Sequence, residues 1–204
     1  MAELSRCPWC DPTEKMIRYH DEEWGVPVHD DKKQFEFLMM EVMQCGLNWN
    51  MMIEKREIFR ECFAEFDYDR VAGFGEEDID RIINTPGMIR SRRKVEAIIV
   101  NARLFKQIIA EYGSFDRYLW KYSGGKTICY MGHQNGIQPV KNGLSERISR
   151  DLKKRGFKYL GPIVIYSHLQ ACGMINDHTK ECFRYNYIID NYPTVRKRRD
   201  DETL

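Results

Sequence analysis

The 204-residue chain has no stretch approaching the ~18 apolar residues of a membrane span and no apolar run behind a basic start, so neither insertion nor export is expected. Net charge is nearly absent: 32 Lys and Arg stand against 31 Asp and Glu, leaving +1. Composition therefore makes no case for a nucleic-acid partner, and any such case must come from local clusters. Strand patterns are scarce, and no internal repeat or low-complexity tract occurs. Without a βαβ pattern there is no frame for a thioredoxin-type redox site. Cysteine is not scarce: seven, an odd number, are scattered through helical-looking segments, which fits reduced thiols or a metal site better than a disulfide framework. The expected compartment is the cytoplasm.

What is present is helical periodicity. DDKKQFEFLMMEVMQCGLNW, from Asp30, places Phe35, Leu38, Met39, Val42 and Met43 at helical spacing behind an acidic start, with Gly46 as terminator. A second helix is expected over about Asn50–Phe63, a short amphipathic turn in FDYDRVAGF and a short helix in GEEDIDRII. After the breaker pair Pro86 and Gly87, a long helix should run to near Gly113, followed by SFDRYLWKY capped by Ser114. Ser123 to Gly143, rich in Gly and without period, reads as an irregular loop; LSERISRDLKKRGF and GPIVIYSHLQACGM read as two more helices. The fold class is all-α. Residues 1–190 read as one helical domain, and 191–204, ending RKRRDDETL, as a basic, flexible tail.

Two short motifs bear on chemistry. RCPWCDP holds Cys7 and Cys10 in a C-x-x-C, which alone suits either a redox dithiol or half a zinc site. His20 follows ten residues later, and NDHTKEC places His178 and Cys182 at i and i+4, one helical turn apart. Cys7, His20, His178 and Cys182 would make a two-cysteine, two-histidine set of the kind that holds structural zinc and ties distant segments together. The alternative is a chance helix pair beside cysteines that serve as small core hydrophobes.

Taken in order, RCPW, RYHDEEWGVPVHDD, the E-x-x-x-x-G-L-x-W from Glu41 to Trp49, KRGFKYLGP and HLQACGMINDHTKEC resemble the DNA-3-methyladenine glycosylase I family, over Arg6 to Cys182. The resemblance implies a helix-hairpin-helix fold with one structural Zn2+ per chain, held by Cys7, His20, His178 and Cys182, with Cys10 a bystander. It implies a monofunctional enzyme that excises N3-methyladenine from double-stranded DNA and opens base excision repair, expected to be a monomer without a membrane partner. Glu41 matches the catalytic, base-recognising carboxylate, and its neighbours Phe37, Leu38 and Cys45 would keep it on a poorly hydrated face. Trp49 matches the stacking residue, and Tyr19, Trp9 and Trp24 match further pocket aromatics, each otherwise a packing residue.

The turn PGMIR, with Gly87 and then Arg90, Arg92, Arg93 and Lys94, is the expected phosphate grip; Lys153, Lys154, Arg155 and Lys158 form a second basic cluster. Three positions depart from the family pattern. Met16 replaces a pocket tyrosine, Asn48 a serine and Asn50 an apolar residue, so an altered pocket floor is expected. The rival function is a zinc-containing helix-hairpin-helix module that binds DNA or lesions without hydrolysis.

Overall fold

The computed structural model describes residues 4–10 and 12–198. One helix organises it. Asp31–Gln44, here α2 after α1 at Glu14–Glu22, is capped by Asp30, whose carboxylate accepts from Lys33 N, and every residue from Gln34 to Met43 is buried. A helix apolar on nearly all sides must be surrounded. Around it stand α3 (Trp49–Glu54), α7 (Arg92–Tyr112), α8 (Phe115–Trp120) and α10 (Pro162–Ala171), all in contact with α2. Completing the molecule are α4 (Arg56–Cys62), α5 (Tyr68–Ala72), α6 (Glu76–Asn84), α9 (Gly143–Lys154) and α11 (Phe183–Asn191). One continuous apolar core runs through them, from Cys7 to Cys182. No helix among the described residues is long and apolar enough to cross a membrane.

The mostly helical class agrees with the sequence, and several details differ from it. The helix expected over Asn50–Phe63 is two helices, broken at Lys55, which lets Arg56 turn inward. There Arg56 donates to both carboxylate oxygens of Glu23 (2.7 and 2.8 Å) and to Glu36 (2.7 Å), joining the end of α1 to α2 and α4. The loop expected over 123–143 contains a strand, β1 (Thr127–Tyr130), paired in parallel with β2 (Thr194–Lys197) in the register Thr127↔Thr194. Four-residue strands are too short to show a period, and TICY is buried throughout. Thus 194–197 are ordered by strand pairing where a flexible tail was expected, and 199–204 lie outside the described residues. His178 and Cys182 are not on one helix face; they sit in the irregular segment before α11, with Cys182 as the residue preceding that helix.

Burial opposes ionisation of Glu23, but the hydrogen bonds and charge of Arg56 and Lys33 outweigh it and hold the carboxyl down to about 2. A carboxylate depressed on folding stabilises the fold above its unfolded value near 4.5 and loses that contribution as pH falls towards 2. Arg56→Met leaves the half-buried Glu23 and the buried Glu36 with Lys33, and Glu36 also with Arg60, but without the buried guanidinium that joins them. It is expected to lower unfolding free energy at pH 7, by less than the about 3–5 kcal/mol of a fully uncompensated buried charge, with a smaller deficit at pH 3, in denaturant titrations at the two pH values.

Candidate functional site

A cavity of about 250 Å³ opens beside the C-terminal half of α2, lined by Trp9, Tyr19, Trp24, Glu41, Gln44, Trp49, Gln138, Ser167 and Gln170. Helical spacing explains much of this lining. Glu41 and Gln44 are three apart on α2, and Ser167 and Gln170 three apart on α10, so two packed helices each present one face to the same space. Tyr19 comes from α1, Trp49 from the first turn of α3, and Trp9 and Trp24 from the segments flanking α1. All five residues expected at a base pocket therefore meet around one cavity.

The walls are aromatic and the floor is acidic. Tyr19 lies with its ring 5.6 Å from Trp49 and edge-on to Phe37 at 6.5 Å; Trp9 meets Trp24 edge-on at 4.7 Å. Glu41 is only 4% exposed, and its carboxyl takes no hydrogen bond or ion pair from the described residues. Burial alone pushes it up to about 8. At neutral pH this carboxyl is mostly protonated unless something positive or hydrogen-donating comes to it. Burial, and next the nearby Glu41, raise Tyr19 well above the usual phenol value, so its hydroxyl keeps its proton.

Behind the aromatic wall, Cys7, His20, His178 and Cys182 are all buried, with their donor atoms within 4.8 Å of one another. His178 Nδ1 lies 3.4 Å from Cys7 Sγ and 3.5 Å from Cys182 Sγ, and His20 Nε2 lies 3.5 Å from Cys182 Sγ. The far ring nitrogens are engaged: His178 Nε2 donates to the Trp24 carbonyl (3.1 Å) and His20 Nδ1 to Asp21 (2.7 Å), which Arg6 clamps with two nitrogens. Each imidazole is thereby turned to offer a lone pair inward, an arrangement suited to holding a metal ion. Burial pushes His178 down, which keeps its ring neutral. The Cys7 hydrogen bond to Cys182 pushes Cys182 down and Cys7 up. Gly25 is required here: at φ +78 it is left-handed, and a Cβ would stand 2.7 Å from His178 Nε2.

Cys10 is apart from this cluster, its thiol directed to the Met16 carbonyl at 3.8 Å. The altered floor expected from Met16, Asn48 and Asn50 is not found, since none of the three lines the cavity. Met16 is core, and Asn48 caps α3 by accepting from Asn50 N at 2.8 Å, a task that Ser and Asn perform about equally. The basic turn is also divided. Arg92 is held by Glu76, Asp80 and Glu96, and Lys94 donates to the carbonyls of Met43 and Cys45 at the end of α2. Arg90 and Arg93 are exposed and make no ion pair with the described residues. In the second cluster, Arg155 is paired with Glu111 and Asp151, while Lys153, Lys154 and Lys158 are exposed. Sequence reasoning missed Gln44, Gln138, Ser167 and Gln170; the i, i+3 relation of Gln44 to Glu41 was the one available signal.

A raised carboxyl has the opposite linkage to Glu23. Between about 4.5 and 8 the unfolded chain ionises Glu41 while the folded chain keeps it protonated, so stability falls as pH rises through that window. Glu41→Gln removes this slope. Its stability should match the parent's near pH 4 and exceed it increasingly up to pH 8, by up to about 1.4 kcal/mol per pH unit, in unfolding measured across that range.

Comparison with known proteins agrees with the site. A family model described as Methyladenine glycosylase matches residues 9–185. The DNA-3-methyladenine glycosylase 1 of Escherichia coli (strain K12) is 40% identical over 182 residues, covering 89% of this chain and 97% of that protein. A tyrosine-to-phenylalanine variant of 3-methyladenine DNA glycosylase I, solved in complex with 3-methyladenine, is similar with a TM-score of 0.82 and 33% identity, over 87% of this chain and 96% of that one. The 3-methyladenine DNA glycosylase I of Staphylococcus aureus gives a TM-score of 0.82 and 34% identity, over 88% and 96%. With its matched segment spanning most of the sequence and holding every aromatic and acidic residue of the cavity, this chain belongs to the methyladenine glycosylase family.

Proposed function

We propose that the chain is a monofunctional DNA glycosylase that hydrolyses the N-glycosidic bond of N3-methyladenine in alkylated double-stranded DNA and so begins base excision repair. The observation that carries this reading is a buried carboxyl without a protein partner, Glu41, at the base of an aromatic cavity. N3-methylation leaves a positive charge on the base. A neutral base gives Glu41 little reason to ionise, whereas a cationic base bearing an amino group supplies both the charge and the hydrogen-bond donors that the carboxylate lacks. The rings of Tyr19, Trp49, Trp9 and Trp24 suit a flat cation, each such contact contributing roughly 0.5–2 kcal/mol. The methylated base departs neutral, so its leaving needs no proton from the protein. The work left to the pocket is to hold the extruded nucleotide and favour the separated base over the bonded one. No lysine lines the cavity among the described residues, in keeping with simple hydrolysis and no Schiff-base step.

The hairpin between α6 and α7 supports a helix-hairpin-helix grip on DNA. Gly87, at φ +80, turns the chain where a Cβ would meet Ile58 at 2.8 Å, and Ser91 places no side-chain cap on α7. The first amides of α7 are left to an external anion, with Arg90 and Arg93 beside them. Arg92 and Lys94 are assigned to holding the hairpin on the body of the protein.

The Cys/His cluster is read as a structural zinc site. A tetrahedral ion with bonds of about 2.3 Å to sulfur and 2.0–2.1 Å to nitrogen sets sulfur–nitrogen edges of about 3.5 Å, in line with the 3.4 and 3.5 Å separations. Cys7, His20, His178 and Cys182 would hold it, and its role would be to join the two ends of the matched segment. Cys7→Ser is expected to lose zinc and melt at lower temperature, while Cys10→Ser keeps both properties; equal metal content in the two purified variants refutes the assignment.

The enzyme reading is tested by resolving free bases released from methylated duplex DNA. Selective release of 3-methyladenine is expected, slowed at least about 100-fold in Glu41→Gln. A folded, metal-loaded protein that binds the DNA and releases nothing would instead be the non-hydrolytic binding module.

A further inference from the structure

The three glutamines of the cavity share an orientation. Gln44 Nε2 donates to the Leu47 carbonyl (2.7 Å), Gln138 Nε2 to the Asp177 carbonyl (2.9 Å) and Gln170 Nε2 to Asp177 Oδ2 (2.8 Å). Ser167 likewise directs its hydroxyl proton to the Ile163 carbonyl at 3.3 Å. Each group turns its donor into the protein and keeps an acceptor. None of the three Oε1 atoms is bonded to the described residues, and none is sealed away from solvent. With Glu41, these side chains make a polar lining of acceptors.

Gln170 is the most firmly set. Its partner Asp177 is 1% exposed, and the carboxylate accepts from His133 Nδ1 at Oδ1 (2.8 Å) and from Tyr166 OH at Oδ2 (2.6 Å) as well. His133 Nε2 is buried without a partner among the described residues, so the ring proton belongs on Nδ1, facing Asp177. An ionised carboxylate only accepts. Gln170 is therefore unable to reverse its amide without setting oxygen against oxygen in a buried site, and its Oε1 is fixed as an acceptor on α10, in the cavity that Glu41 lines from α2.

We propose that Gln170 is a specificity-determining acceptor and Asp177 the residue that positions it, together selecting bases with an exocyclic amino group at the six position over their six-oxo analogues. This rests on reading the cavity as the base pocket. An amino group carries two N–H donors, and the oxygens of Glu41 and Gln170 are two acceptors that line the same cavity from the neighbouring helices α2 and α10. A six-oxo base can take the proton of a neutral Glu41 carboxyl, but it sets its lone pairs against the fixed oxygen of Gln170 and leaves that acceptor unmatched, and a site built to pair a donor rejects the analogue that lacks it.

The test uses free 3-methyladenine and 3-methylhypoxanthine, which differ in the amino and oxo groups at that position and the protonation of the neighbouring ring nitrogen. Binding to the full chain is followed by tryptophan fluorescence for the parent, Gln170→Met and Asp177→Asn, with thermal unfolding and metal content as controls for the fold. The parent should prefer 3-methyladenine by about tenfold or more. Gln170→Met keeps the length but loses the strong acceptor, and should reduce that preference about tenfold. In Asp177→Asn the oxygen stays towards His133, the amide N–H turns to Gln170, and the Gln170 side chain reverses to show its own N–H groups. The preference should then fall as far or invert. A Gln170→Met variant that keeps the parental ratio, or weakens both bases equally, overturns the proposal; should Asp177→Asn not fold, Gln170→Met decides alone. A parent that binds neither base overturns the base-pocket reading and this proposal with it.

Discussion

The meeting of the two ends of the chain inside the protein is the constraint on which the site depends. Cys7 and His20 come from the first residues described, and His178 and Cys182 from beyond α10, yet their donor atoms fall within 4.8 Å. Closing so long a loop costs entropy, and four polar donors in a buried space would repel or go unsatisfied unless something draws them together. Trp24 makes this closure matter to the cavity. Its carbonyl receives His178 Nε2, its ring lies edge-on to His178 at 4.6 Å, and the same ring packs against Trp9 and lines the pocket. The aromatic wall is therefore the outer surface of the Cys/His cluster.

Electrostatically the cavity is prepared for a positive occupant. An unpaired carboxyl near 8 is unusual because most buried acids are matched by a cation, as Glu23 and Glu36 are by Arg56 only a helix away. The contrast between these acids separates structural from functional burial. One pair is satisfied internally and lends stability. Glu41 is held without a partner at a cost to stability, the kind of local inconsistency that marks a site for a ligand.

Much of the fold could be read from the sequence because its signals are local. The 3.6-residue period of Phe35, Leu38, Met39, Val42 and Met43 and the acidic start at Asp30 identified α2, and Ser114 marked a helix start by a side-chain cap that the structure contains. What escaped was set by tertiary contact. The break at Lys55 answers to the ion pairs of Arg56, β1 and β2 exist through pairing with each other, and α11 follows the Cys/His segment without a cap of its own. At the site, the grouping of Tyr19, Glu41 and Trp49 was legible through motif resemblance, whereas the orientation of Gln170 was not. A glutamine carries no sequence sign of which end of its amide is occupied; here that is decided by Asp177, seven residues on and buried.

Lys94 joins regions that would otherwise be treated separately. Its ammonium holds the carbonyls of Met43 and Cys45, two and four residues past Glu41, while its backbone belongs to the first turn of α7. The hairpin and the helix end that carries the acidic floor of the cavity are thus tied through one side chain. On the proposed reading of the hairpin as the phosphate grip, that tie would set the span of backbone between the grip and the opening beside Glu41.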